Sequence, residues 1–176
     1  MSFSEARTWS ATDAEPRERL LIELEEREGQ ALFGFVRRLG LSDSEANDAV
    51  QEAFLRLWRQ LDAGRTIYNP KGWAYRTAYR LAMDEHRLRR RVTALAGRLA
   101  PLRDSSPISV DDRIAVWTEV DRLPPRQREV LYLRYRSDLP FDEISEILGI
   151  SSSAARSHAT QAMATLRERL DASDAS

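Results

Sequence analysis

Apolar residues recur along this chain at steps of three and four residues, and no segment alternates apolar and polar residues over the length of a strand. The clearest run consists of Ala46, Ala49, Val50, Ala53, Phe54, Leu57, Trp58 and Leu61. Such spacing places one wide apolar stripe along an α-helix. The pattern predicts an all-α protein.

The first helix is predicted over residues 17–39, where leucine, phenylalanine and valine side chains recur one turn apart. Gly29 lies inside this run and is a point at which the helix could be interrupted. Gly40 comes directly after the last apolar residue, where a glycine in the left-handed conformation commonly ends a helix. Residues 1–16 are polar and irregular, and we assign them no structure.

Two further helices are predicted in the first half of the chain. Ser42, with Glu45 three residues later, forms the capping-box pattern that starts the second helix. Residues 62–70 contain glycine, asparagine and proline and predict a loop. The third helix is predicted over about residues 71–91. Its inner face carries Trp73, Ala74, Thr77, Ala78, Leu81 and Ala82, and its other faces carry Tyr75, Arg76, Tyr79, Arg80, Met83 and Arg87.

A stretch rich in proline and serine divides the chain. Residues 96–110 contain two prolines and three serines and show little periodicity. We therefore predict two small helical domains, over residues 17–95 and 111–170, joined by a flexible linker. Residues 171–176 are a tail without a structural signal.

The second half begins with a short helix that Pro124 and Pro125 end. Pro125 can itself open the next helix, because the first helical position loses no intrahelical bond when its N–H is missing. This helix is predicted over residues 125–136. Its predicted buried side chains are Val130, Leu131 and Tyr135.

The most specific local pattern is a pair of short helices, 141–148 and 152–170, separated by three residues. Gly149 permits a sharp left-handed turn, and Ser151 can cap the second of these helices by accepting a backbone N–H bond. The pattern predicts a helix-turn-helix, whose second helix fits the major groove of DNA; an ordinary αα-hairpin is the alternative interpretation. The candidate DNA-reading residues are Ser152, Ser153, Arg156, Ser157, Thr160 and Gln161.

Charge is distributed unevenly along the chain. The net charge is −1, yet residues 71–103 carry nine basic side chains against two acidic ones, a net charge of +7. A concentrated basic block is typical of a protein with a polyanionic partner. Aromatic rings interleaved with arginines suit single-stranded DNA in particular, because they stack on bases and neutralise the backbone. The candidates are Trp73, Arg76, Tyr79, Arg80 and Arg87.

The second helix carries a compact polar patch opposite its apolar stripe. Asp48, Gln51 and Glu52 occupy neighbouring positions of this patch, with Leu55 close by. Taken alone, such a patch is ordinary solvated surface. In the context of a family resemblance it becomes a candidate protein-docking site.

The composition of the chain argues against several classes of function. The chain has no cysteine, and its two histidines have no carboxylates at metal-ligand spacing. We therefore predict no catalytic residue, no metal site and no cofactor. The N-terminus lacks the pattern of a signal peptide, and the chain contains no apolar run long enough for a membrane span. We expect a soluble, cytoplasmic protein.

Two segments of the first half and one of the second resemble a known family. EANDAVQEAFLRLW (45–58) and PKGWAYRTAYRLAMDEHRLRRR (70–91) resemble domain two of bacterial extracytoplasmic-function (ECF) sigma factors. DRLPPRQREVLYLRYRSDLPFDEISEILGIS (121–151) resembles their domain four. The segments occur in the family's order, with a linker in the expected place.

This resemblance implies an alternative sigma factor without enzymatic activity. It implies that the patch on the second helix docks on core RNA polymerase and that the basic-aromatic helix engages the minus-ten element and its melted non-template strand. It further implies that the helix-turn-helix reads the minus-thirty-five element as duplex promoter DNA and that an anti-sigma factor is a partner. No residue of the chain identifies that anti-sigma factor.

Some positions differ from the family pattern. Arg80 stands where asparagine is usual, which leaves the minus-ten specificity open. Ala154 and Ala155 replace a common Thr-Val pair, and His158, Thr160 and Gln161 stand where basic or aromatic residues are frequent. The minus-thirty-five sequence is therefore not predictable from these residues.

Two other functions compete with this interpretation. One is a conventional helix-turn-helix regulator that binds palindromic DNA as a dimer without polymerase. The other is a helical adaptor that sequesters a protein and binds no DNA. An enzyme is the most remote possibility, since the chain lacks a nucleophile–base pair and a glycine-rich phosphate loop.

Overall fold

The computed structural model describes residues 14–96 and 115–174, and their regular structure is entirely helical. The elements are α1 (Ala14–Arg38), α2 (Asp43–Asp62), α3 (Pro70–Ala96), α4 (Ala115–Asp121), α5 (Pro125–Leu131), a π-helical turn (Tyr132–Arg136), α6 (Phe141–Leu148) and α7 (Ser152–Asp174). The prediction of an all-α protein is confirmed for the described ranges. The predicted linker lies outside them, apart from Ala96 at the end of α3.

Helices α1, α2 and α3 pack together as the N-terminal domain. Helix α1 starts three residues earlier than predicted and continues through Gly29 without interruption. Gly40 adopts the predicted left-handed conformation, with φ of 93°. The apolar stripe of α2 is buried as predicted at six positions, namely Ala46, Ala49, Ala53, Phe54, Leu57 and Leu61.

The start of α2 is fixed by the predicted capping box. The Ser42 hydroxyl accepts from the backbone N–H of Glu45, and the Glu45 carboxylate accepts from the backbone N–H of Ser42 at 2.7 Å. Arg89 of α3 forms an ion pair with the same carboxylate. Partial burial opposes ionisation of Glu45, but the hydrogen bonds from Arg89 and Ser42 outweigh it and lower its pKa to about 2.

Helices α4 to α7 form the C-terminal domain, and a π-helical turn alters its predicted core. Pro125 opens α5 as expected. The segment then widens into the π turn, which shifts the later side chains relative to a regular α-helix. The prediction that Tyr135 is buried is wrong: Tyr135 is 58% exposed, and Tyr132 is buried in its place.

The helix-turn-helix has the predicted local geometry. Gly149 caps α6 with φ of 65° and ψ of 38°. The Ser151 hydroxyl accepts from the backbone N–H of Ala154 at 3.1 Å, which caps α7. Ile144, Ile147 and Leu148 are buried, and Ile150 packs against the core between the two helices.

The two domains pack against each other and share one continuous apolar core. Helix α6 lies against α3, and α5 with the π turn lies against α1. The buried Tyr132 hydroxyl donates to the carbonyl oxygen of Ala31 at 3.0 Å, across 101 residues of sequence. The contact between the domains therefore involves specific buried atoms.

Candidate nucleic-acid interface

The polar patch on α2 is on the surface, as the sequence predicts. Asp48 and Gln51 are exposed, and Leu55, one turn after Gln51 at the end of the patch, keeps 42% of its surface accessible. Glu52 is half-buried and forms an ion pair with Arg56 at 2.6 Å. An exposed leucine bordered by acidic and amide side chains suits a protein partner with an apolar and basic contact surface.

A second surface is an open pocket of about 360 Å³ between the C-terminal part of α2 and the first turns of α3. Its lining residues are Arg56, Arg59, Gln60, Trp73, Thr77 and Arg80. The pocket combines three guanidinium groups with an aromatic side chain. A nucleotide offers the matching chemistry, because its phosphate attracts arginine and its base stacks on an aromatic ring.

The structure divides the predicted residues of α3 between two faces. Trp73 and Arg80 lie in this pocket, and Arg87 is exposed two turns further on, where it forms an ion pair with Asp84 at 2.7 Å. Arg76 instead faces the C-terminal domain and forms an ion pair with Glu146 of α6 at 2.6 Å.

The prediction that Tyr79 lies on an outer face is wrong in this arrangement. Tyr79 is buried, and its ring stacks on Phe35 with the ring centroids 6.4 Å apart. Its hydroxyl accepts a hydrogen bond from Arg126 of the C-terminal domain at 2.9 Å. Tyr79 therefore packs in the core and contacts the other domain instead of presenting its ring to solvent.

Sequence reasoning missed Arg56, Arg59 and Gln60 as members of the pocket. They lie on α2, whereas the basic block from which the strand-binding residues were predicted starts at residue 71. The available signal was their spacing: residues 56, 59 and 60 share one side of a helix near its C-terminal end. Which part of α3 they would meet depends on tertiary packing.

The candidate reading residues of α7 form a continuous exposed surface. Ser153, Arg156, Ser157, Thr160 and Gln161 are exposed, whereas Ser152 is half-buried and donates to Asp142 at 2.6 Å. The Arg156 guanidinium lies 3.7 Å from Asp142 and over the ring of Phe141. These contacts position Arg156, the one arginine among the six predicted reading residues, near the start of α7.

Residues 14–96 and 115–174 contain neither a metal-binding cluster nor a membrane-spanning helix. In this part of the chain, no group of three or more histidine, aspartate or glutamate side chains is placed to hold a metal ion. No helix there is both long and apolar enough to cross a membrane.

The fold and these surfaces define an all-helical protein with a helix-turn-helix in its C-terminal domain. Two family models match it: Sigma-70 region 2 over residues 24–104 and Sigma-70 region 4 over residues 113–166. The two matches occur in the order of the helices described above. The chain belongs to the ECF group of RNA polymerase sigma factors, and nothing in the comparisons favours the dimeric regulator.

A curated relative supports this assignment. The chain is similar to the ECF RNA polymerase sigma factor SigJ of Mycobacterium tuberculosis, with 34% identity over 146 residues. The match covers 76% of this chain and 46% of SigJ. The chain thus spans less than half the length of that relative.

Solved structures of two sigma factors share the fold. One is CnrH in complex with the cytosolic domain of CnrY, with 25% identity, a TM-score of 0.58, and coverage of 92% of this chain and 94% of CnrH. The other is RpoE in complex with the anti-sigma factor NepR from Bartonella quintana, with 22% identity and a TM-score of 0.64. That match covers 89% of this chain and 97% of RpoE.

Proposed function

We propose that the chain is an alternative sigma factor, which binds core RNA polymerase and directs it to a set of promoters to initiate transcription. The observation that carries this proposal is the presence of both sigma-70 regions, in order, on a chain that exposes a distinct surface in each domain. The protein itself performs no covalent chemistry in this role.

Core polymerase docks on the patch formed by Asp48, Gln51, Glu52 and Leu55. The patch is exposed while the opposite side of α2 is buried, so it can bind a partner without disturbing the core. The accessible Leu55 supplies apolar contact, and the surrounding polar groups supply orientation.

Promoter DNA is contacted at two places. The pocket with Trp73 and Arg80 accepts a nucleotide of the melted non-template strand at the minus-ten element, and Arg76 and Arg87 contact the neighbouring backbone. The residues of α7 around Arg156 read the minus-thirty-five element as duplex DNA, where arginine can bond guanine in a bidentate manner.

Neither DNA surface is strong by itself, and polymerase compensates for this. Residues 104–176, which include the recognition helix, carry a net charge of −4, so they neutralise few phosphates and bind DNA weakly. Binding of both domains to polymerase turns the second DNA contact into an intramolecular step with a high effective concentration.

An anti-sigma factor is the expected inhibitor. RpoE, a structural neighbour of this chain, is solved in complex with an anti-sigma factor. The same fold in this chain supports a partner of that class. A cytoplasmic location is part of the proposal, because core polymerase and the chromosome are there.

Run-off transcription with purified core polymerase and a library of genomic fragments tests the proposal. We expect transcripts from a small set of promoters that depend on added protein. The double substitution Asp48→Ala and Gln51→Ala should abolish most of these transcripts and weaken co-migration with polymerase without lowering the melting temperature.

The matched control removes one acid and one amide from another exposed surface, by Glu25→Ala and Gln30→Ala on α1. The control should transcribe like the unmodified protein. The proposal is wrong if the unmodified protein neither co-migrates with polymerase nor yields transcripts, or if it binds its DNA tightly without polymerase.

A further inference from the structure

We propose that the last three turns of α3, residues 86–96, form a docking surface for an acidic amphipathic helix of a partner protein. This segment is called the α3 tail below. The inference goes beyond the proposed function, because the apolar side chains involved belong neither to the patch on α2 nor to the pocket beside it. Three observations carry it: an exposed apolar stripe, the narrow width of that stripe, and the arginines beside it.

The α3 tail projects beyond the other two helices of its domain. His86 Nε2 lies 2.7 Å from the carbonyl oxygen of Leu39, just after the end of α1. Arg89 donates to the carbonyl oxygen of Gly40 at 3.5 Å and forms an ion pair with Glu45 in the first turn of α2. The residues after Arg89 carry α3 about 10 Å further, because a helix rises about 1.5 Å per residue. A partner can therefore approach this part of α3 without displacing α1 or α2.

The first observation is a stripe of three large apolar side chains that face solvent. Leu88 and Val92 are each 55% exposed, and Leu95 is 88% exposed. They are three of the ten exposed large apolar side chains in the described part of the chain, although they lie within eight consecutive residues. Single apolar residues are ordinary on a protein surface, whereas a contiguous group of them indicates an interaction site.

The second observation is the width of this stripe. Leu88, Val92 and Leu95 are separated by steps of four and three residues, which is the spacing of the core positions in a two-helix coiled coil. At about 100° per residue, they fall within about 60° of the helix circumference. A helix that lies on a membrane has a broader apolar face, and a stripe this narrow suits one partner helix. In the sequence, Leu99 continues the same spacing outside the described residues.

The third observation is the positive charge beside the stripe. The α3 tail carries four arginines and no acidic residue. Arg87 and Arg89 have acidic partners within the domain, whereas the exposed Arg91 has none among the described residues. Arg91 directly precedes Val92 and lies at the edge of the stripe. It leaves a charge there that an aspartate or glutamate of a partner can pair with.

These features select one kind of occupant. A second copy of the chain would bring together two segments with four arginines each, and like charges across an interface oppose association. A DNA backbone would engage the arginines but leave the apolar stripe in water. A helix with an apolar stripe flanked by acidic side chains satisfies both the leucines and the arginines, so it is the occupant that fits.

The test uses the full chain and a designed peptide as the probe. The peptide is a fluorescently labelled helix of three heptads, with leucine at the core positions and glutamate at the flanking positions. A second peptide with lysine at the flanking positions is the charge control. We expect fluorescence anisotropy to show binding of the acidic peptide at low salt, weaker binding as the salt concentration rises, and no binding of the basic peptide.

A pair of substitutions tests the apolar stripe. Val92→Glu places a carboxylate in the middle of the stripe and should weaken binding of the acidic peptide by about tenfold or more. Ala94→Glu is the matched control, because it makes the same change in net charge two residues away, on another side of the helix. It should change the affinity by less than about threefold. Both positions are exposed, so we expect equal melting temperatures for the two variants.

A second pair tests the charge. Arg91→Gln removes the positive charge at the edge of the stripe and should weaken binding of the acidic peptide by about two- to fivefold. Arg90→Gln makes the same change on the opposite side of the helix and should have a smaller effect. Equal losses for the two variants would contradict pairing at the edge of the stripe.

The inference is overturned if the full chain binds neither peptide, or if Val92→Glu and Ala94→Glu bind the acidic peptide equally. These measurements contain no polymerase and no promoter DNA. Their failure would therefore leave the proposed function untouched, and failure of run-off transcription would leave this inference untouched.

Three further measurements identify another occupant of the stripe, and each positive result would also overturn the inference. Sedimentation would identify a second copy if Val92→Glu converted a dimer into a monomer. Co-sedimentation with vesicles of phosphatidylcholine and phosphatidylglycerol would identify a lipid surface if Val92→Glu abolished it. Weaker binding of duplex DNA by Val92→Glu than by Ala94→Glu would assign the stripe to DNA.

Discussion

Arg38 and Asp121 form a two-pronged ion pair, with nitrogen–oxygen distances of 2.7 and 3.3 Å, between residues 83 positions apart in the chain. The Arg38 side chain is almost completely buried, whereas the Asp121 side chain is 29% exposed. A buried cation needs such a partner, because the loss of solvation is otherwise not compensated. The pair therefore couples the stability of α1 to that of α4.

Substituting Asp121→Asn should destabilise the protein by about 1.5–3 kcal/mol, because it leaves the Arg38 charge buried without its carboxylate. Urea denaturation monitored by circular dichroism measures this change. Asp138→Asn is the control, since the Asp138 side chain is 94% exposed and its ion pair with Arg134 is long, at 3.7 Å. Equal unfolding free energies for the two variants would contradict the structural role of Asp121.

Glu45→Gln should lower the free energy of unfolding at pH 7 by about 1 kcal/mol. The effect is this small because the side chain is partly exposed and solvent screens its ion pair. The pKa of Glu45 is lowered in the folded state, so its ionised form stabilises the fold above the usual value near 4.5. This contribution is lost as the pH falls from about 4.5 towards about 2. The difference in melting temperature between the two proteins should narrow as the pH falls from 7 to 3, and a constant difference would contradict the assignment.

Arg80→Ala should weaken binding of single-stranded DNA and reduce its dependence on salt. Losing one phosphate contact lowers the slope of log K against log salt concentration by about 0.7 for a single strand. Arg27→Ala, which removes an exposed arginine from α1, is the control. A loss of affinity with an unchanged slope would indicate that Arg80 contacts a base.

Arg156→Ala should reduce discrimination at one upstream base pair by about 1–3 kcal/mol if the guanidinium reads a guanine. Transcription from promoters with each of the four base pairs at every upstream position measures this. Arg167→Ala, three turns along α7, should leave the discrimination unchanged. Uniform loss over all sequences would identify Arg156 as a phosphate contact.

Local patterns in the sequence predict the features that depend on neighbouring residues. The capping box at Ser42 and Glu45, the left-handed Gly149 and the cap at Ser151 each require only a few consecutive positions. The exposure of Asp48 on α2 and of Arg156 on α7 is predicted by helical periodicity alone. These features are confirmed because tertiary packing does not compete with them.

The features that sequence reasoning missed depend on distant residues. The polar tip of Tyr79 and its arginine neighbours favour an outer face, but Phe35 provides an aromatic partner from another helix. Arg59 joins Trp73 in a pocket only because α2 and α3 meet there. Gly34 is unusual because glycine is unfavourable inside a helix, so its position suggests a close contact. The residue that makes this contact, Tyr132, lies 98 positions away and is not predictable from the local sequence.

The π-helical turn makes the contact between the halves of the molecule unusually sensitive to chain length. Removing one residue between Tyr132 and Leu139 would shorten the π turn and change the spacing between these two buried side chains. The packing of the C-terminal domain on α1 would then be altered, although the exposed side chains at the start of α7 would be unchanged. A single-codon deletion would thus separate the contact between the domains from the exposed surface of the helix-turn-helix in one mutational step.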